Sequence, residues 1–317
     1  MPTDTLQLID EWGPIIGDPN GSDEEAVLRA FARALANEVP GEYVFGLDMG
    51  LTENDAAILV DELGDRGAAV GLPHALGGLP YDELGVTGYG VAEATDAAAA
   101  AISLPTAGAS VAVQGFGAVG RAAAERLAEL GAVITAVSTA TGAVVDEEGI
   151  DLPRLVALSR EFGDSCVTQY GGALDPSAAL TTDAQILIPA AREDVIDKDL
   201  ATSTSARLIV EGANMPSTPT ALEILKDRGM TVVPDFIANA GGVIAAARSM
   251  DARYSPFTVN PDDVFAMIST KMRQNTVTVV TEARDRGLTT HAAAQELAQE
   301  RVRTAMMLRG QIPANAR

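Results

Sequence analysis

The sequence predicts an α/β protein built on a doubly wound parallel sheet, and three observations carry that prediction. The apolar run Val111-Ala-Val113 leads straight into Gly115-x-Gly117-x-x-Gly120, and an alanine- and leucine-rich helix follows from about Ala118 to Leu130. A second strand-like run, Ala132 to Ser138, closes a strand–helix–strand unit. Further on, Gln185 to Ile188, Arg207 to Val210 and Thr231 to Val233 are short strands of the buried type. Alternating strand and helix argues for a parallel sheet with helices on both faces. In such sheets the ligand crevice lies beyond the carboxyl ends of the strands.

Taken in order, residues 1–20 show neither helix nor strand periodicity and read as loop. Ser22 can cap a helix with Glu25 in a capping box, and Val27, Leu28, Phe31, Leu35 and Val39 form its apolar stripe. Tyr43 to Met49 is strand-like, and Thr52 opens a helix to about Leu63. Residues 64–86, rich in Gly and Pro, read as a linker. A long helix runs from Thr87 to Ile102 and leads into the glycine motif. A helix over Pro219 to Asp227, stopped by Gly229, precedes the strand at Thr231. From Pro261 to Leu308 the chain is mostly helix, interrupted near Gly287.

Each glycine of the motif has a physical reason in this setting. Gly115 permits the tight strand-to-helix turn, Gly117 lets backbone approach a pyrophosphate, and Gly120 lets the helix pack on the strand. Amides at the helix start then face the phosphates. The candidate cradle is therefore Gly115, Phe116, Gly117, Ala118, Val119 and Gly120, and the cofactor NAD or NADP. An acidic residue at the end of the second strand would bind the ribose hydroxyls and repel a 2′-phosphate. Counted from Gly120, that place holds Thr139, next to Ser138. Both can donate to a phosphate, so NADP is expected to be accepted, although no arginine or lysine stands nearby in sequence.

Composition narrows the partners. The 317 residues are enough for two domains. Net charge is −22, from 44 acidic and 22 basic residues, so nucleic acid and anionic membranes are repelled. Only Lys198, Lys226 and Lys271 are lysine. That scarcity suggests a protein of a salt-accumulating halophile, where salt screens acidic self-repulsion. No apolar run approaches the ~18 residues of a membrane span. The start carries Asp4, Asp10 and Glu11 and does not read as a secretory signal. Cys166 is the single cysteine, which fits a reducing, cytoplasmic compartment. His74 and His291 stand alone in sequence, so no metal site is expected.

Six segments together resemble the glutamate/leucine/phenylalanine/valine dehydrogenase superfamily. They are Asp48-Met-Gly50, Thr87-Gly-Tyr-Gly90, Val113-Gln-Gly-Phe-Gly-Ala-Val-Gly120, Ile188-Pro-Ala-Ala191, Glu211-Gly-Ala-Asn214 and Pro234-Asp-Phe-Ile-Ala-Asn-Ala-Gly-Gly242. Their order and spacing match over about residues 22–317. The resemblance implies reversible oxidative deamination of an L-amino acid to a 2-oxo acid and ammonia, with NAD or NADP. It implies a substrate domain, here a remnant over 1–80, and a Rossmann-type domain over 81–260. Helices over 261–317 would pack back toward the first domain, and the protein would be oligomeric.

Residue by residue, the resemblance places Asp48 as the catalytic aspartate, relaying protons between the substrate amino group and water. A strand-end or capping aspartate is the plain alternative. Thr87 corresponds to a threonine near the nicotinamide amide, and a helix N-cap is its other reading. Asn214 falls near the nicotinamide ribose, and Asn239 at the substrate carboxylate. Ala190 and Ala191 would pack against the cofactor.

The departures from the family pattern matter as much. The family's substrate domain begins about a hundred residues earlier and carries two lysines, one for the substrate carboxylate and one that activates the carbonyl and water. This chain has no lysine before Lys198. By register, Asp10-Glu-Trp-Gly-Pro14 stands where Gly-Gly-Ala-Lys belongs, with Trp12 about at the lysine. Loss of such an electrophilic group costs ~10² to 10³ in rate. Near Ala246, where glutamate enzymes keep a serine, Ala245 and Ala246 cannot hold a side-chain carboxylate, so an apolar amino acid is at least as suitable. Three readings follow. The first is an amino-acid dehydrogenase. The second is an inactive or truncated paralogue that binds NAD(P) as a regulatory or structural subunit, in a hetero-oligomer with a full-length relative. The third is an active protein whose gene starts further upstream.

Overall fold

A computed structural model describes residues 24–47 and 50–313. Asp48, Ser22 and the segment around Trp12 lie outside the described residues. The chain divides into two compact units, with borders at Leu84/Gly85, Gly242/Val243 and Val264/Phe265.

The larger unit, from Gly85 to Gly242 and from Phe265 onward, holds a sheet of six strands. In chain order they are β1 (Ser110–Gln114), β2 (Val133–Thr139), β3 (Gly142–Val145), β4 (Ile186–Pro189), β5 (Leu208–Val210) and β6 (Thr231–Val233). Their spatial order is β3-β2-β1-β4-β5-β6, parallel throughout except for the antiparallel edge strand β3. Val111, Ala112, Val113, Ile186, Ile188, Leu208, Ile209 and Val210 are all buried to within 2%. Strands covered on both faces read as continuous apolar runs, and these do. The order reverses at β1, between β2 and β4, which is where a doubly wound sheet opens a crevice.

We number the longer helices α1 (Glu24–Ala34), α2 (Glu53–Leu63), α3 (Val86–Ala101), α4 (Ala118–Glu129), α5 (Leu152–Phe162), α6 (Lys198–Ser203), α7 (Pro219–Asp227), α8 (Gly241–Ala252), α9 (Pro261–Arg286) and α10 (Thr290–Leu308). Helices α3 and α4 touch almost backbone to backbone: a Cβ on Gly88 would lie 2.2 Å from the Val119 carbonyl oxygen. Their contact is pinned by Glu93 on α3, 1% exposed. It accepts hydrogen bonds from Arg126 of α4 (2.9 Å), and from Ser269 (2.7 Å) and Arg273 of α9. Burial alone would push the Glu93 carboxyl up, but Ser269, Arg273 and Arg126 together hold it below the usual carboxylate range. Asp96, one turn on, is likewise held low against its burial by Thr106 and Arg273. Cys166 is fully buried, and burial raises its thiol pKa. Among the described residues, no helix is long and apolar enough to cross a membrane.

The smaller unit packs α1 on α2 through Leu28, Phe31, Phe45, Ala56 and Leu59. Thr52 and Asp55 form a capping box at the start of α2, and Gly64 at φ +65° ends it. Two expectations change here. Residues 64–86 are not a linker: Ala68, Ala69, Val70, Leu72, Leu79 and Tyr81 are buried. Gly and Pro there make tight turns between packed apolar residues. Of the strand expected over Tyr43 to Met49, the described residues 43–47 form one bridge, Phe45 with Ala69. Phe45 exchanges hydrogen bonds with Ala68 and Val70. Gly71, at φ +81° and pressed on Leu47, then turns the chain away.

Candidate functional site

The loop between β1 and α4 is shaped by steric contacts that leave little choice of residue. Gly115 has φ +92°, and a Cβ there would lie 2.7 Å from Ala191 Cβ. A Cβ on Gly120 would lie 1.9 Å from the Gly115 carbonyl oxygen, so the helix rests directly on the turn. Gly117 differs: no protein atom stands within 4 Å of where its Cβ would be. Its lack of a side chain relieves no internal clash and leaves room for a ligand. Gly117 is also the N-cap of α4 and provides no side-chain cap. The first amides of the helix, at Ala118, Val119 and Gly120, therefore have no side-chain acceptor from the cap.

A cavity of about 620 Å³ opens over this turn, at the carboxyl ends of β1, β2 and β4. Gly115, Phe116, Gly117, Ser138, Thr139 and Ala190 line it, as does Ala191. Gln114 lines it too, and its side-chain oxygen is buried without a protein partner. The cradle thus meets a dinucleotide on three counts: space at Gly117, a helix start without a side-chain cap, and an orphaned acceptor.

Three charged residues in this cavity were not legible in sequence: Asp164, Asp175 and Arg192. The Thr139 hydroxyl, expected to face a phosphate, donates instead to the Asp164 carbonyl oxygen at 2.6 Å. Ser138 is 2% exposed. Ser177 donates to Asp175 through its hydroxyl (2.6 Å) and backbone amide (2.9 Å), which holds that carboxyl below its ordinary range.

Asn214 and Asn239, 25 residues apart in sequence, are brought together: Asn239 Nδ2 donates to Asn214 Oδ1 at 2.7 Å. Neither lines the cavity, but Gly212 connects them to it, since a Cβ there would lie 3.2 Å from Ala190 Cβ. Beneath them Asp235 accepts from the Met215 amide (2.8 Å), and its own amide donates to Glu211 (3.0 Å). His291, isolated in sequence, stands 2.8 Å from the same Glu211 oxygen. The ligand atoms of Glu211, Asp235 and His291 lie within 4.8 Å of one another. Their contacts form a strut that joins the Asn214 and Asn239 turns to the start of α10. Thr87 is not an N-cap; Gly85 holds that place, and Thr87 lies inside α3 with its hydroxyl 2.9 Å from where a Gly242 Cβ would sit.

Comparison with known proteins agrees with this geometry. The family model described as Glutamate/Leucine/Phenylalanine/Valine dehydrogenase matches residues 77–310. A glutamate dehydrogenase of Aeropyrum pernix is 39% identical over 250 residues, covering 78% of this chain and 60% of that protein. An NADP-specific glutamate dehydrogenase of Saccharolobus shibatae is 36% identical over 249 residues, covering 78% of this chain and 58% of that protein. The chain thus spans somewhat under two thirds of the length of these relatives. Among solved structures, the hetero-hexameric glutamate dehydrogenase of Thermus thermophilus in its leucine-bound form superposes with TM-score 0.83 at 29% identity, covering 94% of this chain and 73% of that one. Sequence, sheet order and glycine turn agree, and the chain belongs to the glutamate/leucine/phenylalanine/valine dehydrogenase family.

Proposed function

We propose that the chain serves NAD(P)-dependent oxidative deamination, in which an L-amino acid, water and NAD(P)+ give a 2-oxo acid, ammonium, NAD(P)H and a proton. The observation that carries this reading is the glycine turn, open at Gly117 and facing the 620 Å³ cavity, in a chain of this family. The bound nicotinamide would accept the hydride from the substrate α-carbon. Gly115, Phe116, Gly117 and the first amides of α4 would hold the pyrophosphate. Asn214 would hold the nicotinamide ribose region and Asn239 the substrate carboxylate, their mutual hydrogen bond fixing both amides. Thr87 would stand near the nicotinamide amide, and Asp48 would relay the amino-group proton to water, a role that rests on the sequence resemblance.

Both nicotinamide cofactors suit the cavity. Arg192 and Ser138 favour a 2′-phosphate, while Asp164 and the charged Asp175 favour a free ribose diol. The name of the Saccharolobus relative supports NADP. For the amino acid, glutamate is supported by the relatives' names. Ala245, fully buried, and Ala246 offer no group to a side-chain carboxylate, which supports an apolar substrate equally. The acidic surface with three lysines suits a cytoplasm rich in salt.

One observation favours a second reading. By the resemblance, Trp12 stands about where the family lysine falls, so this register offers no ammonium group to polarise the substrate carbonyl. The chain would then bind dinucleotide as a subunit beside a catalytic relative; the Thermus glutamate dehydrogenase is described as hetero-hexameric, which supports assembly of unlike chains. Amino-acid-dependent reduction of NADP and NAD, assayed with glutamate, leucine, valine and phenylalanine in about molar salt, decides between them. Turnover above background is expected under the first reading. Saturable cofactor binding without turnover contradicts the first reading for this chain acting alone and is what the second expects, and loss of both turnover and binding contradicts both.

A further inference from the structure

The larger unit holds a second cavity, of about 780 Å³, that shares no residue with the dinucleotide cavity. It lies where the chain enters β5 and β6, at the amino ends of the strands. Its charge is the reverse of the rest of the protein. Arg207, Lys226, Arg228 and Arg284 line it, and no aspartate or glutamate does, although the chain has 44 acidic residues and 22 basic ones.

The four cations are weakly neutralised. Arg207 makes no ion pair among the described residues. Arg228 donates only to carbonyl oxygens, of Ala201 at 2.6 Å and Thr204 at 2.9 Å, which holds its guanidinium plane in place. Lys226 reaches Glu223 at 3.2 Å and Arg284 reaches its neighbour Asp285 at 3.1 Å, both in exposed pairs that contribute little. The last turns of α7 and α9 account for Lys226 and Arg284, because a helix carboxyl end attracts cations. Arg228 is itself the C-cap of α7 and donates to carbonyls at the carboxyl end of α6, so Arg207 alone has no such account. Four like charges in one concavity give it a positive potential that favours an anion.

The lining also says what kind of anion. Arg207 and Arg284 offer guanidinium forks that match phosphate oxygens in pairs, while Arg228 already donates from both terminal nitrogens to carbonyls and adds its charge. Ser103 and Thr231 add hydroxyl groups, while the Ser205 hydroxyl donates to Asp183 at 2.7 Å. No Phe, Tyr or Trp lines the cavity, and the one ring that does, His291, is engaged by Glu211. We propose that this groove binds a compact anion carrying two or more phosphates, at a site separate from the dinucleotide cradle. The phosphates, and not an attached base, are what it recognises.

The test is calorimetric titration of the full chain with inorganic pyrophosphate in about 0.1 M salt. The cradle variant Gly117→Ala is titrated in parallel, so that a site in the glycine turn, weakened by it, is told apart from the groove. The expected result is one site per chain that Gly117→Ala leaves unchanged, weakened at least tenfold in Arg207→Glu/Arg284→Glu and at raised salt, with ADP binding no more tightly than pyrophosphate there. Lys226→Gln, a milder change, is expected to weaken binding severalfold if the double variant does not fold. Absence of saturable binding overturns the proposal, as does affinity unchanged in either folded groove variant. ADP binding far more tightly than pyrophosphate also overturns it. So does a change of oligomeric state on charge reversal without loss of pyrophosphate affinity, which would assign the groove to the acidic surface of a second copy.

Discussion

A methyl group on Gly120 would sit 1.9 Å from the Gly115 carbonyl oxygen, whereas one on Gly117 would meet no protein atom within 4 Å. The two glycines therefore predict different failures. Gly120→Ala must push α4 off the turn, at a cost of ~1–3 kcal/mol or more, and is expected to lower both the melting temperature and cofactor affinity. Gly117→Ala is expected to keep the melting temperature within a degree or two and to weaken NADP binding about tenfold, ~1.4 kcal/mol. Thermal denaturation and the fluorescence of bound NADPH, the reduced cofactor, read the two effects separately. At the cofactor's far end, Arg192→Ala is expected to weaken NADP by ~1–3 kcal/mol, as for a charged hydrogen bond, with NAD little changed. Equal loss for both cofactors would place Arg192 away from the 2′-phosphate. The glycine turn was legible in sequence because its constraints are local. Arg192, Asp164 and the His291–Glu211 contact were not, because they depend on which loops the sheet order brings together, over separations of up to 80 residues.

Glu93 shows how one side chain ties elements together. It joins α3 to α4 through Arg126 and to α9 through Ser269 and Arg273. Arg126 and Arg273 keep about a third of their side chains in solvent and retain Glu129 and Asp96 as partners. Glu93→Gln is therefore expected to cost ~1–3 kcal/mol, read as a lower urea midpoint at unchanged slope. The sign of the pH effect follows from the lowered pKa. Glu93 adds stability above its unfolded value of ~4.3, and that stability is lost as pH falls toward the lower folded value. The wild type should lose stability more steeply than Glu93→Gln below about pH 4.5; equal slopes would remove Glu93 from the acid response. At this scale the helices and parallel strands were legible from apolar runs and caps. The buried segment 64–86 was not, because Gly and Pro mark turns inside a packed unit as readily as they mark linkers. Edge strand β3 also escaped, being short and antiparallel to β2, with one further bridge from Ala143 to Leu174.

For the whole molecule, a net charge of −22 works against compactness, and salt should relieve it. Raising KCl from about 0.1 to about 2 M, well past the point where the Debye length falls below ~3 Å, is expected to raise the melting temperature by several degrees. A flat or falling response would remove the high-salt reading. The doubly wound sheet and the phosphate turn could be read from one stretch of about 30 residues, since the motif specifies its own strand, turn and helix. The cofactor's second half and the substrate side are assembled from distant turns, and their reading leaned on family resemblance. The most direct test of the account is titration of the chain with NADPH in about 2 M KCl, followed by nicotinamide fluorescence. It predicts saturation at one NADPH per chain with a dissociation constant in the micromolar range, roughly −8 kcal/mol, and loss of that binding in Gly120→Ala. No saturable binding up to about 1 mM, weaker than roughly −4 kcal/mol, would contradict it.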